Sequence, residues 1–397
     1  MTSASTAKSP DADEVVRGGY AKIFEGHTIF LTGGTGCLGG CLLYKLALQL
    51  PTRKIFVLVR GNSQRAIGKL KESMPNHAQA ILATKKVEFI VGDMKTVNFG
   101  IEPNILGQLR DQVTLVIHTA AKIKLEGPIR DALESNCLPA LEIARIASGF
   151  RRLKLLVQIS TSYVNSHLRD GPVLERIYQL GGEEDPEEEL ASMLTLDTSP
   201  HAGKFSSTYT QAKHLMERLL LSRFPLLPIL LLRPTIFGPA FRHPYSLYGS
   251  EDSTPLTKFT RLWFSDRGAT QVWHATEGYQ TGTNILDEIP VDLVANACLL
   301  HAAARTTGIV QIGSQLYHPI TFDEVFRLGR ENATPEVQRE FPKIVFTEDR
   351  STPQCFLAEL IQVSGPLSMQ VCKHEADAFN LIRTHNGLGT GREKARM

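Results

Sequence analysis

At 397 residues and 42% hydrophobic content, the chain can bury a large core, either as two domains or as one domain with a substantial appendage. Its 43 basic and 41 acidic residues leave a net charge of +2, which argues against a broad basic surface and so against nucleic acid as a partner. Six cysteines (Cys37, Cys41, Cys137, Cys298, Cys355 and Cys372) form neither a CxxC pair nor a disulfide ladder, and the twelve histidines are scattered; free thiols, a reducing compartment and no metal site are expected.

Residues 1–20 are polar and carry acids, unlike a signal or transit peptide, and are expected to be a disordered lead. After it, apolar runs rich in Val, Ile and Leu recur at Thr28–Thr32, Lys54–Val59, Val87–Val91, Thr114–His118, Leu155–Ser160 and Pro228–Leu232. Amphipathic stretches lie between them at Leu38–Leu50, Ser63–Ser73, Ile129–Ser148 and Gln211–Ser222. Strands covered on both faces read as continuous apolar runs, so the alternation predicts an α/β fold with a doubly wound parallel sheet. The most apolar run, Phe224–Phe237, reads as a buried strand; it is shorter than the ~20 residues a bilayer requires and contains Arg233, so no integral membrane span is expected.

The rhythm breaks twice. In Leu174–His201 the acidic run GGEEDPEEEL reads as a solvated helix start or loop, and Ala240–Glu288 is rich in aromatic and small residues. The expected layout is a dinucleotide-binding domain over 21–240 with an insertion at about 170–204, and a substrate-binding insertion over 241–288. The chain then returns to the first domain over 289–317, and 318–397 forms a C-terminal substrate region and tail.

The first chemical motif is TGGTGCLGG, which places Gly33, Gly36 and Gly39 between a strand and a helix. Glycines let the backbone turn tightly and approach a pyrophosphate, while the helix beginning at Cys37 and Leu38, just after Thr35, offers free N–H groups and the positive end of its dipole. In this context the motif predicts a Rossmann-type nucleotide site. The second strand ends in Arg60 where an acid would hold the ribose hydroxyls of NAD; an arginine there neutralises a 2′-phosphate, which favours NADPH, the alternative being a solvent-facing side chain. Asp93 ends the third strand in position to meet the adenine, and Ala120 and Ala121 follow the fourth, where small residues let the cofactor lie close.

Tyr209 and Lys213, four residues apart in STYTQAKHLMERLL, share one face of a helix. Upstream, the fifth strand runs into Ser160, Thr161 and Ser162 at its carboxyl end, where ligands of open α/β sheets sit. A hydride delivered to a carbonyl creates an oxyanion that needs a proton donor and a second hydrogen bond. Tyr209 fits the first need, with Lys213 stabilising its phenolate and placed to hold the nicotinamide ribose. Thr161 fits the second, with Ser160 or Ser162 as substitutes, and Asn136 reads either as water-mediated support for Lys213 or as a structural residue.

Together TGGTGCLG, VLVRG, VGD, HTAA, ISTSYVN, STYTQAK, LRPTIFGP and DEIPVDLVANA resemble the fatty acyl-CoA reductases and the thioester-reductase domains of carrier-protein synthetases. The likeness runs from about Tyr20 to about Leu328, and the order of its motifs is more specific than any one of them. It implies cofactor contacts at Gly33, Gly36, Gly39, Arg60 and Asp93, a nicotinamide-side segment at Pro234, a catalytic trio of Thr161, Tyr209 and Lys213, and an acyl-CoA or acyl-carrier-protein thioester as substrate. The proline-glycine-tryptophan stretch of alcohol-forming members is replaced by FRHPYSLYGSEDSTPLTKF, and neither an adenylation nor a carrier domain is recognisable, so a preformed thioester is expected. A nucleotide-sugar epimerase or dehydratase would show V-Y-G where SYVNS stands, and a non-catalytic NADP-sensing regulator would have lost the trio. A cytoplasmic location is expected, with the terminal Ala395-Arg396-Met397 as a loose peroxisomal alternative.

Overall fold

Six of the apolar runs and a seventh at Gly308–Ile312 become the parallel strands of one sheet in the computed structural model. It describes residues 19–125, 127–168, 171–181, 185–199, 201–249, 269–315 and 318–353, with the backbone of 367–369. The expected lead up to residue 18, Cys355, Cys372 and most of the tail lie outside the described residues. In chain order the strands are β1 (Thr28–Thr32), β2 (Lys54–Val59), β3 (Val87–Val91), β4 (Leu115–His118), β5 (Leu155–Ile159), β6 (Gly171–Val173), β7 (Ile229–Pro234), β8 (Ile236–Gly238), β9 (Thr270–His274), β10 (Glu288–Pro290), β11 (Gly308–Ile312) and β12 (Lys343–Thr347). The sheet order is β11-β7-β5-β4-β1-β2-β3, all parallel, so the direction of winding reverses between β1 and β4. Crevices for ligands open at the carboxyl ends of the strands beside such a reversal.

β1, β4, β5 and β7 are buried along their whole lengths, which explains their unbroken apolar character. One face is covered by α1 (Cys37–Tyr44) and α9 (Val291–Ala304), which bury Leu42, Leu43, Val294 and Cys298. The other carries α6 (Leu138–Ser148) and α8 (Thr208–Arg223), which bury Ile143, Leu215 and Leu219. A third core, Trp273, Leu286, Phe322 and Phe326, joins the late insertion to the helix Phe322–Glu331, while β9 pairs with β12.

Several boundaries differ from expectation. Phe224–Phe237 is not one strand: Leu226 is 97% exposed, β7 begins only at Ile229, and after Thr235 the short β8 leaves the main sheet to pair with β10. Prolines at 225 and 228 remove ladder donors and delay the strand. The helix from Cys37 ends in a π turn at Lys45–Gln49, and the stretch Ile129–Ser148 is broken by another at Leu133–Cys137. The acidic run does start a helix, Pro186–Leu196, with Asp185 accepting from the Glu187 N–H. It is not simply solvated, because Glu189 is buried in an ion pair with Arg218. The helices Ala78–Ala83 and Pro103–Gln112 carry no expectation from the sequence reading.

Candidate active site

At the β1 end, backbone fills the space that side chains would occupy. Gly33 has φ 72°, and its carbonyl accepts from the Gly36 N–H at 2.8 Å, closing the turn. A Cβ on Gly33 would lie 2.5 Å from Thr119 Oγ1 and 2.8 Å from the Ala120 nitrogen, so the glycine turn and the HTAA segment meet without room for a methyl group. A Cβ on Gly39 would drive into the Gly33 carbonyl. Gly36 is the N-cap of α1 and supplies no side-chain acceptor, so the helix start keeps its N–H groups for a ligand. Cys37 is half-buried and Leu38 is buried in the core beneath, which leaves their backbone as the feature that can face a phosphate. Thr35 is half-buried in the same turn. These residues fit a dinucleotide pyrophosphate.

Arg60 is exposed just past β2 and makes no ion pair among the described residues. Asp93 is also exposed, and one of its oxygens accepts from the Lys95 N–H at 3.0 Å. Ala120 is half-buried and Ala121 exposed beyond β4. Pro234 is buried at the end of β7, paired in register with Ile312.

At the β5 end the site is built from buried polar side chains. Lys213 is 1% exposed, and its Nζ donates to the Ile159 carbonyl at 3.0 Å, two residues before Thr161. The same Nζ lies 6.0 Å from the centre of the Tyr209 ring, as the shared helix face requires. Ser207, two residues before Tyr209, caps α8 by accepting from the Thr210 N–H. Thr161 Oγ1 accepts from the Tyr163 N–H at 3.3 Å, which leaves its own O–H to donate. Ser160 Oγ is buried with no partner among the described residues, whereas Ser162 Oγ donates to the Arg233 carbonyl at 2.8 Å and is spent there. The Asn136 amide holds the backbone of Lys122 through both N–H and C=O, and also donates to the Ala132 carbonyl.

Burial dominates the electrostatics here. It pushes Lys213 down to about 8, opposed first by the Glu217 carboxylate. It pushes the Tyr209 phenol up, so the hydroxyl holds its proton. His118, at the end of β4, is pushed down to about 3 by burial and then by Lys213, and its Nδ1 lies 2.7 Å from Thr32 Oγ1. Burial raises the Cys137 and Cys298 thiols to about 12, which keeps both protonated.

The sequence reading missed a network behind these groups. Arg233 and Glu217, both fully buried, form a forked ion pair with Nε 2.9 Å from Oε1. Glu217 is one helical turn beyond Lys213, and that K-x-x-x-E spacing was the available signal. Arg233 also donates to the Arg176 carbonyl at 3.1 Å. Gln311 likewise holds the Val173 carbonyl, His214 the Tyr178 carbonyl and Lys204 the Leu180 carbonyl, so residues 173–180 form a strap fastened from four elements. Farther on, the Asp292 carboxylate collects the N–H groups of Phe241, Arg242 and His243, and Tyr248 donates to the Cys37 carbonyl, tying the loop after β8 to α1.

No group of three or more His, Cys, Asp or Glu among the described residues is arranged to hold a metal ion, and no described helix is long and apolar enough to cross a membrane. A family described as Male sterility protein, an NAD-binding domain, matches residues 31–298. Fatty acyl-CoA reductase 1 of Xenopus laevis is 25% identical over 321 residues, which cover 76% of this chain and 58% of the relative, so the chain spans little more than half of that protein. Among solved structures, the terminal R domain from the myxalamid PKS-NRPS biosynthetic pathway superposes with a TM-score of 0.62 at 21% identity, covering 92% of this chain and 85% of that one. A yeast methylglyoxal/isovaleraldehyde reductase complexed with NADPH superposes with a TM-score of 0.55 at 13% identity, covering 91% and 99%. At these identities the two structures speak for the fold, a Rossmann-like sheet.

Proposed function

The chain belongs to the male sterility protein family, and on that premise we propose that it is an NADPH-dependent reductase that converts an acyl thioester, carried by coenzyme A or a carrier protein, to an aldehyde and then a primary alcohol. The observation that carries this reading is Lys213, buried against the Ile159 carbonyl with Tyr209 one turn before it and Thr161 at the same strand end. Names of the relatives, fatty acyl-CoA reductase among them, agree with the substrate class. Arg60, exposed just past β2 and without an ion pair among the described residues, supports NADPH over NADH through its fit to a 2′-phosphate.

The nicotinamide, when bound, supplies the hydride. Gly33, Gly36 and Gly39 with the start of α1 would hold its pyrophosphate, and Lys213 would hold its ribose hydroxyls. Tyr209, kept protonated by burial, gives its proton to the oxygen of the reduced carbonyl. Thr161 donates the second hydrogen bond to that oxygen. The resulting hemithioacetal collapses to aldehyde and free thiol. With Cys137 and Cys298 held protonated, direct reduction of the thioester needs no acyl-enzyme on either thiol. The aldehyde is the better hydride acceptor and meets the same three side chains in a second round.

The test is NADPH oxidation across a panel of acyl-CoA and acyl-carrier thioesters, with product identification and thiol release measured together. Two NADPH per thiol reports the alcohol and one the aldehyde. Absence of oxidation with every thioester, or a competent acyl adduct on a cysteine in intact-protein mass spectra, overturns the scheme.

A further inference from the structure

Arg233 and Glu217 touch both sides of the site without lying in it. Glu217 stands one turn after Lys213 on α8, while the carbonyl of Arg233 takes the hydroxyl of Ser162, the residue after Thr161. The backbone of Ser160 is fixed to the neighbouring residue of β7, its N–H donating to the Leu232 carbonyl at 2.7 Å. Both residues flanking Thr161 are therefore bonded to β7, and the fork of Arg233 clamps β7 to the helix that carries Tyr209 and Lys213. The third contact of the guanidinium, to the Arg176 carbonyl, reaches the strap.

We propose that the Arg233–Glu217 pair is a positioning device that sets Thr161 against Tyr209 and holds a carboxylate one helical turn from Lys213. This rests on the assignment of those three residues given above. A buried pair of this kind is seldom a net source of stability, because removing two charges from water costs about as much as their attraction returns. Its place beside the site points to another role, and the surroundings of Lys213 provide one. The titratable and charged groups near its ammonium are Tyr209 and Glu217 on α8, His118 from β4, Cys137 from the π turn, and Arg233 from β7 beyond Glu217. His118 stays neutral after its pKa is depressed to about 3, and the Cys137 thiol stays protonated. Glu217 is thus the group that keeps a buried Lys213 charged near neutrality, and Arg233 governs how much of that carboxylate Lys213 feels.

The two partners should act with opposite signs. Wild-type NADPH affinity, followed by nucleotide fluorescence on the full chain, is expected to fall as pH rises through about 8, where Lys213 loses its charge. In Glu217→Gln that midpoint moves down by about a unit, and in Arg233→Met, where Glu217 is no longer shared, it moves up. Either variant leaves a buried group without its partner, so the double variant Glu217→Leu/Arg233→Met is measured beside them; it keeps volume, removes both charges, and is expected to follow Glu217→Gln. Ser162→Ala removes the hydroxyl's tie to the Arg233 carbonyl beside Thr161 and should lower kcat on the order of tenfold with KM and the binding midpoint unchanged. A folded double variant with the wild-type midpoint, or Ser162→Ala with wild-type kcat, overturns the proposal. The binding arm needs no substrate, so it stands even if thioester reduction itself fails.

Discussion

The two ends of the sheet's carboxyl edge make their sites by opposite means. Beyond β1 the site comes from omission: Gly33 and Gly39 pack against backbone with no space for a Cβ, and Gly36 leaves a helix start uncapped. Beyond β5 and β7 it comes from inclusion, with Lys213, Glu217 and Arg233 all driven out of water. The glycine turn depends on shape and should tolerate changes of pH and salt. The polar site depends on charge held at low dielectric, so protonation changes its properties while leaving its outline intact.

The largest effect that can break this contrast belongs to the polar end. Tyr209→Phe should lower thioester turnover by about 10²- to 10⁴-fold while NADPH binding stays within twofold or so, measured as oxidation rate and fluorescence titration. Retention of wild-type rates moves the proton donor elsewhere. Next comes Lys213→Met. Its folded pKa of about 8 is below the ordinary lysine value of 10.5, so the charged form costs stability at pH 7, the cost shrinks above pH 8, and it is gone near pH 10.5. Urea unfolding should therefore show Lys213→Met more stable by up to about 3 kcal/mol at pH 7, with the gain fading toward pH 10, even as NADPH binding weakens. A gain independent of pH would mean that packing, not charge, is responsible.

At the nucleotide end the effects are smaller and insensitive to protonation. Arg60→Ala should weaken NADPH roughly ten- to a hundredfold and leave NADH nearly unchanged, as the loss of one charge-assisted contact worth about 1.5–3 kcal/mol. Equal losses for both nucleotides would remove the 2′-phosphate from the account. Gly39→Ala should cost about 1–3 kcal/mol of stability by forcing the turn open. Gly107→Ala, in a helix with nothing within 4 Å of the added methyl, should instead gain about 0.5–1 kcal/mol, so paired thermal melts separate crowding from the general effect of a glycine.

The same contrast decides what could be read from the sequence. Parallel strands buried on both faces announce themselves as apolar runs, and all six expected strands occur in the sheet. The glycine turn and the Tyr209/Lys213 pair are local, spaced within one turn of chain, so motif spacing reveals them. Arg233 and Glu217 are sixteen residues apart and meet only after β7 has docked beside β5, so neither residue alone hinted at a clamp. Ser162 reads only as a substitute for Thr161 and Asn136 as either support for Lys213 or a structural residue; in the fold their polar atoms secure backbone at Arg233 and Lys122. The π turn holding Asn136 left no trace in the apolar pattern either, since one extra residue shifts a helix face without interrupting its hydrophobicity. Glu189 misled for a different reason: its burial comes from Arg218, which a run of acids does not disclose.

The strap at 173–180 is secured almost wholly by carbonyls, those of Val173, Arg176, Tyr178 and Leu180, each taken by a side chain from another element. Among the described residues, the N–H groups of 177–180 find no partner. Deuterium exchange reports on N–H alone. Mass spectra of the exchanging protein would therefore show these residues taking up label within seconds, as a loose loop does, while a spin label or cross-linker on the same segment would find it stationary. Slow exchange with free label motion would be the signature of the reverse arrangement, a ladder without anchors.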